Sequence, residues 1–270
     1  MIKVGDKIIN FGQFSDGSCH VNINCEILPQ HTPVTWLYRG DDSEFMYLWF
    51  LMQHLYAHES YKRTLILPFL PNSRQDRTKN DDDVFTLKYF AQLINAFKLN
   101  KVETFDVHSN VAAALVNNIK VISPAETVDE LLSTLPDNIL LAFPDEGAME
   151  RYRGVFNIPT IYGIKSRNWE TQKVEKLVLA GAKHMIAGGN FLLVDDICGK
   201  GSTIYYMAKQ LKERGANKIY VYVSHCENTV LKPNFNGYSL MDIPDLIERM
   251  YTTNSLYSGD HHKIKIIKEF

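Results

Sequence analysis

The sequence predicts an α/β protein in which mainly parallel sheets are flanked by helices. Three observations carry this. Short apolar runs of strand length alternate with amphipathic stretches at helical spacing. A chain of 270 residues with 45% hydrophobic and 22% charged residues has a globular composition. The alternation starts afresh after Ser123-Pro124, which divides the chain into segments 1–123 and 124–270, each long enough for its own core.

In chain order, Thr64 to Leu70 (TLILPFL) reads as a buried strand and Val84 to Leu99 as a helix. Val102 to Val107 and Ile119 to Ile122 are strands, and a helical stretch begins at Glu126. Ile139 to Phe143 and Phe191 to Val194 are strands in the second segment. Thr203 to Arg214 is a helix with Gly215 as its stop signal, and Lys218 to Val223 is a further strand. The apolar run Phe45 to Met52 falls far short of the roughly 20 residues needed to cross a membrane.

Composition narrows the function classes. Twenty-nine basic residues stand against 31 acidic ones, a net charge of −2, so a surface built for nucleic acid or anionic lipid is not expected. A local basic site for a small phosphorylated ligand remains open. The N-terminal segment lacks the apolar core and small-residue cleavage site of a signal peptide. The four cysteines form no C-x-x-C pair, which fits reduced thiols and a cytoplasmic setting.

Parallel sheets bind ligands beyond the carboxyl ends of their strands. The sharpest such place is Phe191 to Thr203, FLLVDDICGKGST. An apolar strand runs into Asp195 and Asp196, then a glycine-rich turn, then a helix start. Backbone N–H groups from Gly199, Lys200, Gly201, Ser202 and Thr203, with the positive end of the helix dipole, make a phosphate cradle. The acid pair suits ribose hydroxyls or Mg²⁺. The spacing is neither a Walker A loop nor G-x-G-x-x-G. The bland alternative is a capped strand-to-helix turn.

VDDICGKGST resembles the phosphoribosyl-pyrophosphate loop of type I phosphoribosyltransferases and of ribose-phosphate pyrophosphokinases (PRPP synthetases). Further segments single out the second family. Pro68 to Arg77, PFLPNSRQDR, is similar to its ATP-contacting Pro-Tyr-x-x-x-x-Arg-Gln-Asp-Arg. Phe14 to Gly17, FSDG, matches the start of its adenine-contacting loop. Asp106-Val107-His108 resembles the Asp-Leu-His that helps hold Mg-ATP, FPDEG at 143–147 its Ser-Pro-Asp-x-Gly, and Lys165-Ser166-Arg167 the Lys-x-Arg opening its catalytic loop.

The resemblance implies two tandem type I phosphoribosyltransferase-like domains, with ATP contacts in 1–123 and the acceptor loop in 124–270. It implies transfer of the diphosphoryl group of ATP to the C1 hydroxyl of a ribose 5-phosphate moiety, releasing AMP. Phe14, Asp16, Arg74, Gln75, Arg77 and His108 would contact ATP; His108 and Asp145 would hold Mg²⁺. Asp195, Asp196 and Gly199 to Thr203 would bind the acceptor, and Lys165 and Arg167 would neutralise transition-state charge from a mobile loop. A homo-oligomer with sites near subunit interfaces is also implied.

The residues carry weight apart from the resemblance. Arg74 and Arg77 offer forked donors suited to phosphates and a base, although a salt bridge or helix cap would explain them too. His108 followed by Ser109 reads either as a helix cap or, with Asp145, as a metal pair. Lys165 and Arg167 also read as part of a solvated loop, KSRNWETQK.

Three departures qualify the resemblance. The family loop after the acid pair usually reads Asp-Thr-Gly-Gly-Thr, whereas here Gly199 replaces the acid and Lys200 adds a cation. Space and lowered like-charge repulsion would suit an acceptor with a second phosphate. ADP-ribose is therefore slightly favoured over ribose 5-phosphate, and its product would feed NAD synthesis. Ser18 stands where Glu usually follows FSDG. The chain also stops at IKIIKEF without the family's terminal helix. The competing readings are a non-catalytic regulatory protein associated with PRPP synthetase and a phosphoribosyltransferase.

Overall fold

The computed structural model describes residues 1–23, 32–57, 62–156, 158–167 and 174–270. The chain divides into two compact units, Met1–Ser123 with Phe270, and Pro124–Glu269.

The first unit begins with β1 (Ile2–Val4), β2 (Lys7–Ile8) and a ribbon of β3 (Phe11–Gln13) and β4 (Cys19–Val21). It continues through β5 (Val34–Trp36), α1 (Glu44–Tyr56), β6 (Thr64–Leu67), α2 (Thr86–Ala96), β7 (Lys101–Phe105), α3 (Asn110–Leu115) and β8 (Ile119–Ile122). Six strands form one sheet in the order β2-β1-β5-β6-β7-β8. The β5-β6-β7-β8 ladder is parallel, and β1 and β2 join it antiparallel.

Helix α1 buries Leu48, Leu51, Met52 and Leu55, an i, i+3, i+4, i+7 stripe, each worth about 1.5–3 kcal/mol of apolar burial. That stripe is hidden in the sequence because Met46 and Phe50 are apolar yet exposed. Helix α2 buries Leu87, Phe90, Ala91 and Ile94 with the same spacing. Trp36 lies 1% exposed in this core, and its indole N–H donates to Glu44 Oε2 in the first turn of α1 at 2.8 Å.

The second unit contains α4 (Ala125–Leu132), β9 (Ile139–Phe143), α5 (Glu146–Arg151), β10 (Thr160–Arg167), β11 (Val174–Gly181) and β12 (Asn190–Cys198). It ends with α6 (Ser202–Lys212), β13 (Ile219–Cys226), β14 (Arg249–Thr253) and β15 (Ile264–Lys268). Its seven strands run β11-β10-β9-β12-β13-β14-β15, all parallel except β11.

The connections diverge at one place. From β9 the chain crosses to β10 on one side, and from β12 to β13 on the other. The switch point therefore lies between β9 and β12, where open α/β sheets form their ligand crevice. Asp145 and the Asp195–Thr203 segment lie at the carboxyl ends of these strands.

Helix α6 buries Ile204, Met207, Ala208 and Leu211. Its stop is the expected one: Gly215 takes φ +86°, and Ala216 N–H closes on the Leu211 carbonyl at 3.1 Å. One expectation changes. Lys165 and Arg167 do not begin a loop: their backbone lies on β10, opposite Leu177 and Val174 of β11. The antiparallel partner satisfies the backbone groups that a loop would leave to water. Their side chains and residues 168–173 lie outside the described residues.

Candidate active site

In the second unit the site grows from three acids and one base. β9 ends at Phe143, and Asp145 caps α5 by accepting the Ala148 N–H at 2.9 Å. Helix α5 carries Arg151, whose guanidinium reaches Asp196 at 2.5 Å and Asp195 at 3.6 Å. Asp196 is 2% exposed, so this ion pair is its anchor. Asp195 keeps 13% of its side-chain surface and is the more open acid. Burial and the charges of Asp196 and Asp145 push the Asp195 carboxyl well above its usual range, against the pull of Arg151. Asp195 and Asp196 share the Arg151 guanidinium, and Asp145 acts on Asp195 through its charge.

Beyond the acids, Cys198 is buried and the chain turns through Gly199, Lys200 and Gly201. Gly201 is required twice over. Its φ is +84°, and a Cβ there would lie 2.5 Å from Leu240 Cδ2. Ser202 and Thr203 open α6, and Tyr205 N–H donates to the Gly201 carbonyl at 2.8 Å. The first N–H groups of the helix have no intrahelical partner and carry its positive dipole end. Lys200 and Ser202 are exposed, and Thr203 is half-buried. The structure thus brings Asp145, Asp195, Asp196 and the 199–203 loop together at one end of one sheet.

One electrostatic expectation is overturned. The space left at Gly199 by the missing acid is not open, because the Glu227 carboxylate fills it. A Cβ at Gly199 would lie 3.2 Å from Glu227 Oε2 and 3.3 Å from Oε1. A carboxylate therefore remains against the loop, supplied by the residue that follows β13.

In the first unit the candidate nucleotide residues cluster at the adjacent ends of β6 and β7. Asp76, 5% exposed, accepts from Arg77 Nε at 2.9 Å, and the Arg77 side chain is 75% exposed. Burial works to raise the Asp76 carboxyl. The Arg77 bond, the Ser109 hydroxyl and the charges of Arg77 and His108 outweigh burial, and the carboxyl ends below its usual range. Asp76 Oδ2 and Ser109 Oγ are both sealed from solvent without a well-formed hydrogen bond. The hydroxyl thus acts on the carboxyl as a close dipole. Half-buried His108 follows Asp106, which takes a left-handed φ of +44°.

Gln75 is occupied, since its Oε1 accepts from Thr86 Oγ1 at 3.0 Å and so ties the segment to α2. Arg74 is exposed. Phe14 and Asp16 lie in the turn between β3 and β4, which pair as a separate two-stranded sheet. Phe14 is 56% exposed. Asp16 Oδ1 accepts from the Ser18 backbone at 2.9 Å and the Ser18 hydroxyl at 2.6 Å. These bonds hold its carboxyl below the usual range, so Ser18 braces the turn.

Two residues escaped the sequence reading. Arg151 shows only as a base on the helix that starts at Asp145. Glu227 is an acid at a strand end, the same signal that marked Asp195, but the apolar strand before it is followed by no glycine-rich turn. Among the described residues no group of three or more His, Cys, Asp or Glu side chains is arranged to hold a metal, and no helix is long and apolar enough to cross a membrane.

Comparison with known proteins accords with this geometry. Residues 2–97 match the N-terminal domain of ribose phosphate pyrophosphokinase, and residues 156–243 match the phosphoribosyl transferase domain. A ribose-phosphate pyrophosphokinase from Thermococcus kodakarensis is 27% identical over 231 residues, covering 83% of this chain and 80% of that protein. One from Shewanella oneidensis is 24% identical over 264 residues, covering 94% and 79%. The crystal structure of phosphoribosylpyrophosphate synthetase from Mycobacterium smegmatis shares the fold, with a TM-score of 0.77 at 16% identity over 97% of this chain and 86% of that one. With both domain matches in order along one chain, and the acid pair and phosphate loop at the switch point of the second, this protein belongs to the ribose-phosphate pyrophosphokinase family as a divergent member.

Proposed function

We propose that the protein transfers the diphosphoryl group of ATP to the C1 hydroxyl of ribose 5-phosphate, releasing AMP. The observation that carries this reading is the conjunction at one sheet end of Asp145, Asp195, Asp196 and a glycine-rich loop opening α6. Such a site suits a sugar bearing both hydroxyls and a phosphate. In this reading residues 1–123 supply ATP contacts and residues 124–270 bind the acceptor.

Asp195, the more open acid, accepts from the acceptor's ring hydroxyls, while Asp196 fixes Arg151 and through it Asp195. The Gly199–Thr203 loop holds the 5-phosphate, with Lys200 as an added cation. Arg74, Gln75, Arg77 and His108 contact ATP, and Phe14 and Asp16 reach its base from the ribbon. Lys165 and Arg167 neutralise charge on the migrating group, because phosphoryl-type transfer depends on positioning and charge neutralisation more than on a covalent nucleophile.

Mg²⁺ fits the donors present. It takes hard oxygen ligands and is commonly bound by one or two carboxylates plus substrate phosphates, and Asp145, Asp195 and Asp196 offer carboxylates at one sheet end. Asp145 would hold it in the second unit, and His108 is the corresponding candidate ligand of the first. It would supply charge neutralisation on the ATP phosphates. The reading is completed by a cytoplasmic homo-oligomer with sites near its interfaces, acting on small molecules rather than nucleic acid or membrane.

ADP-ribose is the second reading, favoured by Lys200 exposed at the loop and opposed by the Glu227 carboxylate against Gly199. The test supplies purified protein with Mg-ATP and either ribose 5-phosphate or ADP-ribose, and records AMP release and product mass. AMP with ribose 5-phosphate supports the reading, and preferential turnover of ADP-ribose replaces the acceptor. AMP from neither favours a non-catalytic regulatory protein. Lys165→Ala should lower kcat far more than it raises KM for ATP; a pure KM effect would contradict its role.

A further inference from the structure

The segment between β13 and β14 brings aromatic rings to the flank of the phosphate loop. It is fixed there at two points. Leu240 packs on Gly201, where a Cβ would lie 2.5 Å from its Cδ2. Phe235 stacks on Tyr205 near the start of α6, with ring centroids 4.3 Å apart and planes 22° from parallel. Between these points the chain reverses at Asn236-Gly237, whose φ angles are +50° and +89°. Two left-handed residues are what a two-residue hairpin turn of type I′ requires. Phe235 and Tyr238 close the turn by exchanging both backbone hydrogen bonds, at 3.0 and 2.9 Å, and residues paired in this way carry their side chains on one face of the ribbon. Tyr238 therefore stands on the face that Phe235 turns toward α6.

Tyr206 extends the row. Its ring meets Tyr205 edge-on at 5.2 Å, and helical side chains lean toward the helix N-terminus, here toward Ser202 and the loop. Tyr205 and Phe235 pack half-buried on the core, whereas Tyr206 is 51% and Tyr238 50% exposed. A single exposed aromatic is unremarkable, but here two are held by a fixed turn and a helix start beside a phosphate cradle. Aromatic rings with open faces bind planar rings by stacking. Tyr206 follows Ser202 by one helical turn, about 5.4 Å, which a group joined through a second phosphate and a ribose can reach. We propose that Tyr206 and Tyr238 form a ring-binding subsite beside the Gly199–Thr203 loop. It takes the nucleobase of a nucleoside attached through a second phosphate to the sugar phosphate held in the loop. Ribose 5-phosphate fills the loop alone, and a nucleoside-extended ribose 5-phosphate fills both. The subsite rests on the proposed function for the loop as the acceptor's phosphate site, and on the aromatic geometry for the ring.

Calorimetry on the full chain tests this with ribose 5-phosphate and with ADP-ribose as the nucleoside-extended probe. The wild-type protein should bind ADP-ribose about tenfold tighter or more, the usual effect of one stacked base. The double variant Tyr206→Ala/Tyr238→Ala should lose most of that advantage while changing ribose 5-phosphate affinity much less. Tyr206→Phe/Tyr238→Phe keeps the rings and should keep the advantage. No advantage in the wild-type protein, or equal loss of both ligands in the alanine variant, would overturn the subsite. So would loss of the advantage in the phenylalanine variant, because hydroxyls rather than ring faces would then hold the ligand.

Two further measurements separate the subsite from other occupants of the same rings. If they stack on the base of ATP, the alanine variant raises KM for ATP and leaves ADP-ribose affinity unchanged. If they cover a second copy of this chain, the variant lowers the assembly mass in sedimentation and again leaves ligand affinities unchanged. Either result overturns the proposal. Should no acceptor release AMP, the proposed reaction fails, while the comparison of the two probes still decides the subsite. Binding of neither probe by the wild-type protein would refute it.

Discussion

The two units place their candidate sites in the same structural position, at the carboxyl ends of adjacent parallel strands, but with opposite charge and opposite exposure. In the second unit the acids are sunk into the sheet and held by Arg151 before any ligand arrives. In the first, Arg74 and Arg77 are exposed, while Ser73, Asp76 and Asp106 near them are buried. Burying a carboxylate is tolerable when a guanidinium fixes it, whereas the exposed Arg77 is tied to the sheet end by one hydrogen bond to Asp76 and keeps most of its guanidinium open to a phosphate. One site is prebuilt and the other is completed by its ligand.

The widest contrast should come from the ion pair. Arg151→Ala leaves Asp196 buried without its cation. It is expected to lower stability by about 3–5 kcal/mol in denaturant unfolding and to abolish AMP release. Arg77→Ala removes one hydrogen bond from the buried Asp76 and should cost about 1–2 kcal/mol, well short of Arg151→Ala, while raising KM for ATP. Comparable destabilisation by both would erase the distinction between a prebuilt and an open site.

Asp195→Asn sharpens the same point through pH. The folded-state pKa of Asp195 is raised above an unfolded value of about 3.9, so the fold resists its ionisation. Stability is fully retained below about pH 4 and is lost as pH rises through the folded value. The variant should therefore melt above wild type at neutral pH, converge with it in acid, and be nearly inactive. Thermal scans across pH check this, and a variant that melts lower at neutral pH would show that Arg151 outweighs the repulsion. Asp76 has the opposite sign. Its lowered pKa contributes stability above the unfolded value that is lost on acidification, so Asp76→Asn should be destabilising at neutral pH and silent in acid.

The smallest expected effect is at the ribbon. Phe14→Ala should leave stability unchanged to within about 0.5 kcal/mol, because the ring is exposed, and raise KM for ATP if the ring packs on the base. An unchanged KM would remove Phe14 from the nucleotide site.

How much of this was legible depended on whether a residue's role is local. The strand-turn-helix at 191–203 could be read directly, because acids, glycines and helix start follow one another in sequence. So could β9, α6 and its Gly215 stop. Arg151 and Glu227 could not, since each acts on Asp195, Asp196 or Gly199 from a neighbouring element, and only strand order brings them there. Helix α1 was masked by apolar residues on its exposed side. The β10–β11 hairpin was masked by polar residues that read as a loop.

The burial of Trp36 against Glu44 has a practical consequence. Trp36 and Trp49 both belong to the first unit, and the remaining tryptophan, Trp169, belongs to the second. In a Trp169→Phe background, intrinsic fluorescence would report the first unit alone, while backbone circular dichroism would report both. Emission and ellipticity curves that separate in urea would reveal that the two halves unfold as independent cooperative blocks, and coincident curves that they melt together.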